Sequence, residues 1–213
     1  MRIAILLYPG FTALDAIGPY HALAGTPGYE FTFVAERRGP VGNGGSFTMD
    51  APMSIDELDD VGVLVVPGGV AAIELAHQGG PLIEWIRAMH ETTQWTTSVC
   101  TGALMLGAAG VLTDVPATTH WYCMNDLRAY GAIPVHERVV EHGKVITAAG
   151  VSAGIDMGLV LVQHLAGTDY AQAVQLDMEY DPAPPFNSGH PRSAPPHVTA
   201  HVKGMYDQML GRT

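Results

Sequence analysis

The chain has 213 residues, 47% of them hydrophobic, and a formal net charge of −11. That length suits one sizeable domain whose core needs neither disulfides nor metals, and the apolar content excludes a mainly disordered chain. An acidic chain with no basic run is a poor partner for nucleic acid or an anionic membrane, since both need Lys and Arg to neutralise phosphates.

Cys100 and Cys123 are too few for a disulfide framework and are not spaced as zinc ligands. Reduced thiols in the cytoplasm are the expectation. The opening MRIAILLYPG is too short for a signal-peptide core and reads as a buried strand. No apolar stretch approaches the roughly 20 residues that span a bilayer.

In chain order, residues 2–8 form an apolar run ended by Pro9-Gly10, as in a strand buried on both faces. A helix is predicted from Asp15 to about Ala24, bent or restarted at Gly18-Pro19. Residues 30–36 alternate like a strand, 38–46 read as a turn or small hairpin, and Ser54 with Glu57 resembles a capping box. The strongest strand signal, 61–66, stops at Pro67-Gly68-Gly69. Helices are predicted at 70–77 and 81–93, then a strand at 96–99 and a compact helix at 101–109. Residues 121–130 read as helical, 137–147 as a hairpin turning at His142-Gly143, 151–166 as a buried helix and 169–179 as another. A Pro-rich segment, 181–197, is predicted to be extended before a terminal helix over about 197–210.

Strands alternating with helices argue for a mostly parallel, flavodoxin-like α/β sheet with helices on both faces. Residues 1–213 read as one domain, with the tail from about 181 packed on it.

Around Cys100 the sequence is TTSVCTGALMLGAAG: a strand runs into the cysteine and a helix starts directly after it. This is the pattern of a nucleophile elbow. A helix N-terminus stabilises a thiolate, and the sharp turn would present the sulfur at the carboxyl edge of the sheet, where open α/β folds bind ligands. The same residues also suit a buried structural cysteine, and local sequence leaves both readings open. Cys123, inside a helical pattern, reads as packing.

With the strand-ending PGG, the elbow VCTG resembles the ThiJ/PfpI superfamily, relatives of the class I glutamine amidotransferases. Within it the chain is most similar to the isocyanide hydratases, through LDAIGP around Asp15, VVPGG at 65–69, TSVCTGALMLGAAGVL at 97–112, ATTHW at 117–121, GVSAGIDMGL at 150–159 and VQLDMEYDPAPPFN at 174–187. Thr101 departs from the His that follows the cysteine in peptidase-like members. Asp15 stands where the superfamily commonly has Glu, and Asp114-Val115-Pro116 replaces a more basic turn.

The resemblance implies a cysteine-dependent lyase that adds water to a small-molecule isocyanide, with no cofactor, acting as a homodimer; His136, His190, His197 and His201 show no ligand spacing, so no metal is expected. Cys100 would attack the isocyanide carbon and Asp15 would deliver a proton, giving a thioimidate that water resolves. Such a pair would share one proton, with the Asp15 pKa raised and the Cys100 pKa lowered. From its position alone Asp15 reads rather as a helix N-cap, and both roles are compatible.

Backbone N–H groups of Gly69 and Thr101 would form the oxyanion site. The Thr101 side chain would bond near the sulfur or simply start the helix. Val70, His120, Gly150, Val151 and Phe186 are candidate pocket residues, Phe186 across a dimer interface. His120 could be a base, as in the amidotransferases, or a structural histidine. Other readings are aldehyde detoxification by the same cysteine, or a redox or ligand sensor that does not turn over.

Overall fold

A computed structural model describes residues 1–212. They divide into two compact units, Met1–Met178 and the stretch from Glu179 onward.

The first unit holds, in chain order, β1 (Arg2–Leu6), α1 (Ala13–Leu23), β2 (Glu30–Ala35), the hairpin β3 (Gly39–Gly42) and β4 (Thr48–Ala51), and β5 (Met53–Ser54). Then come β6 (Val63–Val66), α2 (Val70–Gln78), α3 (Pro81–Thr92), β7 (Trp95–Val99) and α4 (Gly102–Ala108). It ends with β8 (Pro116–Ala117), β9 (Ile133–Pro134), the hairpin β10 (Val139–His142) and β11 (Val145–Ala148), α5 (Ala153–Ala166) and α6 (Thr168–Asp177). The second unit contains α7 (Pro196–Met209), and the Pro-rich stretch before it forms no regular element.

Seven strands form the main sheet in the order β10-β11-β7-β6-β1-β2-β5. All its pairings are parallel except β10 with β11. The central strands read as continuous apolar runs because both faces are covered: Ile3 to Leu6 and Val63 to Val66 are fully buried. From β1 the chain moves to β2 on one side, and later from β6 to β7 on the other. Right-handed crossovers in opposite directions put their helices on opposite faces. Accordingly α1 packs with α5, and α4 packs with α2 and α3. The order reverses at β1, so the carboxyl ends of β1 and β6 form the crevice where such sheets bind ligands.

The α1–α5 contact is unusually close. A Cβ on Gly158 would stand 2.7 Å from the Ala22 Cβ, so only glycine lets the two helices approach this far. That approach brings the first turns of both helices to the end of β7.

Two local expectations change and one holds. Helix α1 runs unbroken through Pro19. The N–H that proline lacks would have bonded one turn back, to the carbonyl of Asp15. Residues 121–130 form two short 3-10 turns, Trp121–Cys123 and Asp126–Tyr130, rather than one helix. Ser54 and Glu57 do form a capping box, but over a single 3-10 turn; the Glu57 carboxylate accepts the Ser54 N–H at 2.9 Å.

Candidate active site

Cys100 sits one residue beyond β7, with φ at 57°. This left-handed backbone is uncommon for a side chain larger than glycine, and its neighbours hold it. The Cys100 N–H donates to the carbonyls of Ala148 and Ala149 at 3.0 and 2.9 Å. Its carbonyl accepts the Thr119 hydroxyl at 2.7 Å. Gly68 packs against the elbow so closely that a Cβ there would lie 2.6 Å from the Thr101 nitrogen and 2.8 Å from the Cys100 Cβ.

The residue is buried, with 6% exposure, rather than presented openly at the sheet edge. The thiol also departs from expectation in sign: burial, together with the nearby Asp15 charge, pushes it up to about 12. The N–H groups of Val151 and Thr101 bond the sulfur and act the other way, but they do not offset desolvation. The resting group is therefore a neutral thiol. Val151 meets it from a strained backbone, φ 32°, just ahead of α5.

Asp15 lies in the first turn of α1, fully buried. It is not the N-cap, a position held by Thr12. Its Oδ2 accepts the Gly68 N–H at 2.9 Å, and its carboxyl bonds the Cys100 thiol. Burial raises it to about 7, against the opposing pull of those two bonds. Oδ1 is buried without a hydrogen-bond partner.

The Thr101 hydroxyl accepts the Gly69 N–H and donates to the Gly69 carbonyl, both at 2.8 Å. It thus ties the elbow to the PGG turn, and its own N–H goes to the sulfur. The expected oxyanion donor, Gly69, has its N–H engaged by this hydroxyl. Val70 opens α2, where the Ala72 N–H of the first turn donates to the Gly69 carbonyl at 3.1 Å.

His120 lies beside Gly150, where a Cβ would meet its ring at 2.9 Å, and its Nδ1 accepts the Tyr122 N–H at 3.4 Å. Burial lowers it to about 4, so the ring is neutral at pH 7. The side chain that bonds the thiol is the Asp15 carboxyl, not an imidazole. Phe186 belongs to the second unit and is 76% exposed. Cys123 is buried. A cavity of about 360 Å³ lies at the carboxyl ends of β1 and β2, lined by Tyr8 and Val41 among others; neither Cys100 nor Asp15 lines it.

Two site residues escape a reading of the sequence. Thr119 lies in the ATTHW segment, but nothing local marks which threonine reaches the elbow. Tyr8, whose hydroxyl donates to the Pro67 carbonyl at 2.8 Å, has only its place at the end of β1 as a signal.

Residues 1–164 match the DJ-1/PfpI family. An isonitrile hydratase of Pseudomonas putida is 41% identical over 209 residues, covering 95% of this chain and 89% of that protein. A crystal structure of a ThiJ/PfpI family protein from Pseudomonas syringae superposes with a TM-score of 0.93 at 36% identity, covering 99% of this chain and 88% of the other. Drosophila melanogaster DJ-1beta shares the fold at a TM-score of 0.74 and 18% identity, covering 84% of this chain and 97% of that one. With its parallel sheet, its strained cysteine elbow and these relatives, the chain belongs to the DJ-1/PfpI family.

Proposed function

We propose that this chain is an isocyanide hydratase that adds water to R–N≡C to give an N-substituted formamide, with Cys100 as nucleophile. The observation that carries this reading is the pairing of the Cys100 thiol with a buried carboxyl poised near neutrality. The near-full-length relative named isonitrile hydratase supports the same reaction class.

The isocyanide carbon accepts both a nucleophile and a proton. Asp15 takes the thiol proton as sulfur attacks that carbon, then delivers it to the same carbon, giving the thioimidate R–N=CH–S–Cys100. No charge leaves the pair in this step, which suits a site that penalises an isolated thiolate. Asp15, again a carboxylate, removes a proton from water as it adds to the thioimidate carbon and passes that proton to nitrogen. Collapse of R–NH–CH(OH)–S–Cys100 breaks the C–S bond, and the hydroxyl proton returns through Asp15 to sulfur. Backbone N–H groups near the elbow stabilise the oxygen only after water has added. Gly69 can join them if the oxygen displaces the Thr101 hydroxyl.

A sensor role fits less well, because redox-sensing cysteines are exposed thiols of low pKa and Cys100 is neither. A homodimer is supported by the exposed apolar residues Val198, Met205 and Met209, spaced along one stripe of α7. The deciding measurement is formamide formation from aliphatic and aromatic isocyanides by the wild type and by Cys100→Ala. The wild type should form product, and mass spectrometry should show Cys100 carrying the added isocyanide. Absence of product across varied R groups defeats the assignment.

A further inference from the structure

Tyr8 stands at the carboxyl end of β1 with 1% exposure, and none of the steps above uses it. Its hydroxyl donates to the Pro67 carbonyl at 2.8 Å. That carbonyl and the Gly68 N–H belong to one peptide group, and the N–H donates to Asp15 Oδ2 at 2.9 Å. Tyr8 and Asp15 therefore hold opposite ends of a single peptide. We propose that Tyr8 is a positioning residue that aims and strengthens the Gly68–Asp15 hydrogen bond, and so sets how readily Asp15 accepts the Cys100 proton. The catalytic consequence rests on the cysteine–aspartate reading above.

Two physical effects carry the coupling. A peptide group is planar, so orienting its carbonyl orients its N–H. A hydrogen bond to the carbonyl also polarises the group and makes its N–H a better donor, by about 10–30% per bond in a low-dielectric setting. The phenol is well placed to remain a donor: burial and the neighbouring Asp15 and Cys100 hold its pKa well above the ordinary value. Tyr8 and Cys100 are the titratable groups that bear on Asp15, and Cys123 acts on Cys100 in turn. The Gly68 bond favours the ionised form of Asp15. Weakening it should raise the pH at which Asp15 titrates.

The test is a carbon-13 NMR titration of Asp15 in the full chain labelled at aspartate Cγ, with Asp15→Asn supplying the assignment. In Tyr8→Phe the midpoint should rise by about half a pH unit, and the acid limb of kcat/KM for formamide formation should rise with it. A 3-fluorotyrosine in place of Tyr8, a stronger donor of almost the same shape, should move the midpoint downward. This second arm decides the matter if Tyr8→Phe does not fold. An unmoved midpoint in folded Tyr8→Phe, or no downward shift with the fluorinated residue, overturns the proposal. Because the NMR midpoint needs no turnover, it reads the Tyr8 effect even on a chain that hydrates no isocyanide.

Discussion

At the amino end of β7, Thr96 Oγ1 meets Thr93 Oγ1 at 2.7 Å and His90 Nδ1 at 2.9 Å. The Lys144 ammonium bonds the carbonyls of His90, Glu91 and Thr93, around the last turn of α3. At the carboxyl end, Cys100, Asp15, Thr101 and Thr119 form an equally dense polar cluster. The amino-end contacts fasten a helix terminus to a strand, as cations near helix C-termini do. At the carboxyl end, two acids, Asp15 and Cys100, are buried against each other. The Asp15 carboxyl is held near 7 and the thiol near 12. Both ends are dense in polar groups; what sets the carboxyl end apart is that its polar groups include two buried acids in contact.

The largest effect that would break this contrast is expected from Asp15→Asn. Removing the proton acceptor should lower kcat/KM by about 10²–10⁴-fold, measured as initial rates of formamide release. An unimpaired, folded Asp15→Asn would leave the proton-transfer role without support.

The same carboxyl makes a second, thermodynamic prediction. Its folded value of about 7 lies above its ordinary 3.8, so the folded state binds the proton more tightly than the unfolded chain. Stability should therefore fall as pH rises from about 4 to about 7 and then level off. Asp15→Asn escapes this cost and should exceed the wild type by up to about 4 kcal/mol at pH 8. Denaturant melts at pH 4 and pH 8 would check whether the advantage vanishes in acid. For the wild type, kcat/KM should drop about tenfold per pH unit below 7, where Asp15 is already protonated.

A smaller effect is expected from Thr119→Val. It leaves the Cys100 carbonyl without its hydroxyl partner and relaxes the strained elbow, a loss of about 1–3 kcal/mol in stability. Alkylation of Cys100 should slow together with turnover.

The smallest effect belongs to the other end of the strand. Lys144→Met removes the cation from the end of α3 and should cost about 1 kcal/mol or less while kcat/KM stays at the wild-type value. A loss of activity there would show that the two ends of β7 are coupled, against the contrast drawn above.

Much of this molecule is legible from local pattern. The apolar run before Pro9, the alternation at 30–36 and the block at 61–66 are β1, β2 and β6 because strands buried on both faces need unbroken hydrophobicity. The elbow is legible for the same reason: a strand ending at Val99 and a helix beginning at Gly102 leave only Cys100 and Thr101 to make the turn. Residues 121–130 misled because their apolar spacing suits a helix, while the chain forms two short turns there, the second ended by the left-handed Gly131. Strands β5, β8 and β9 span two residues each, too few to carry a periodicity.

By itself, then, the sequence determined the order of the longer elements, the mostly parallel sheet and the position of the cysteine, since each follows from hydrophobic period and turn chemistry over a few neighbouring residues. Only the tertiary structure decided that Asp15 on α1 meets Cys100 beyond β7, that Tyr8 and Asp15 share one peptide group, and that the thiol is raised rather than lowered. Those outcomes depend on burial and on distances between segments far apart in the chain. The close α1–α5 packing and the reversal of strand order at β1 set those distances, and no local window of residues contains them.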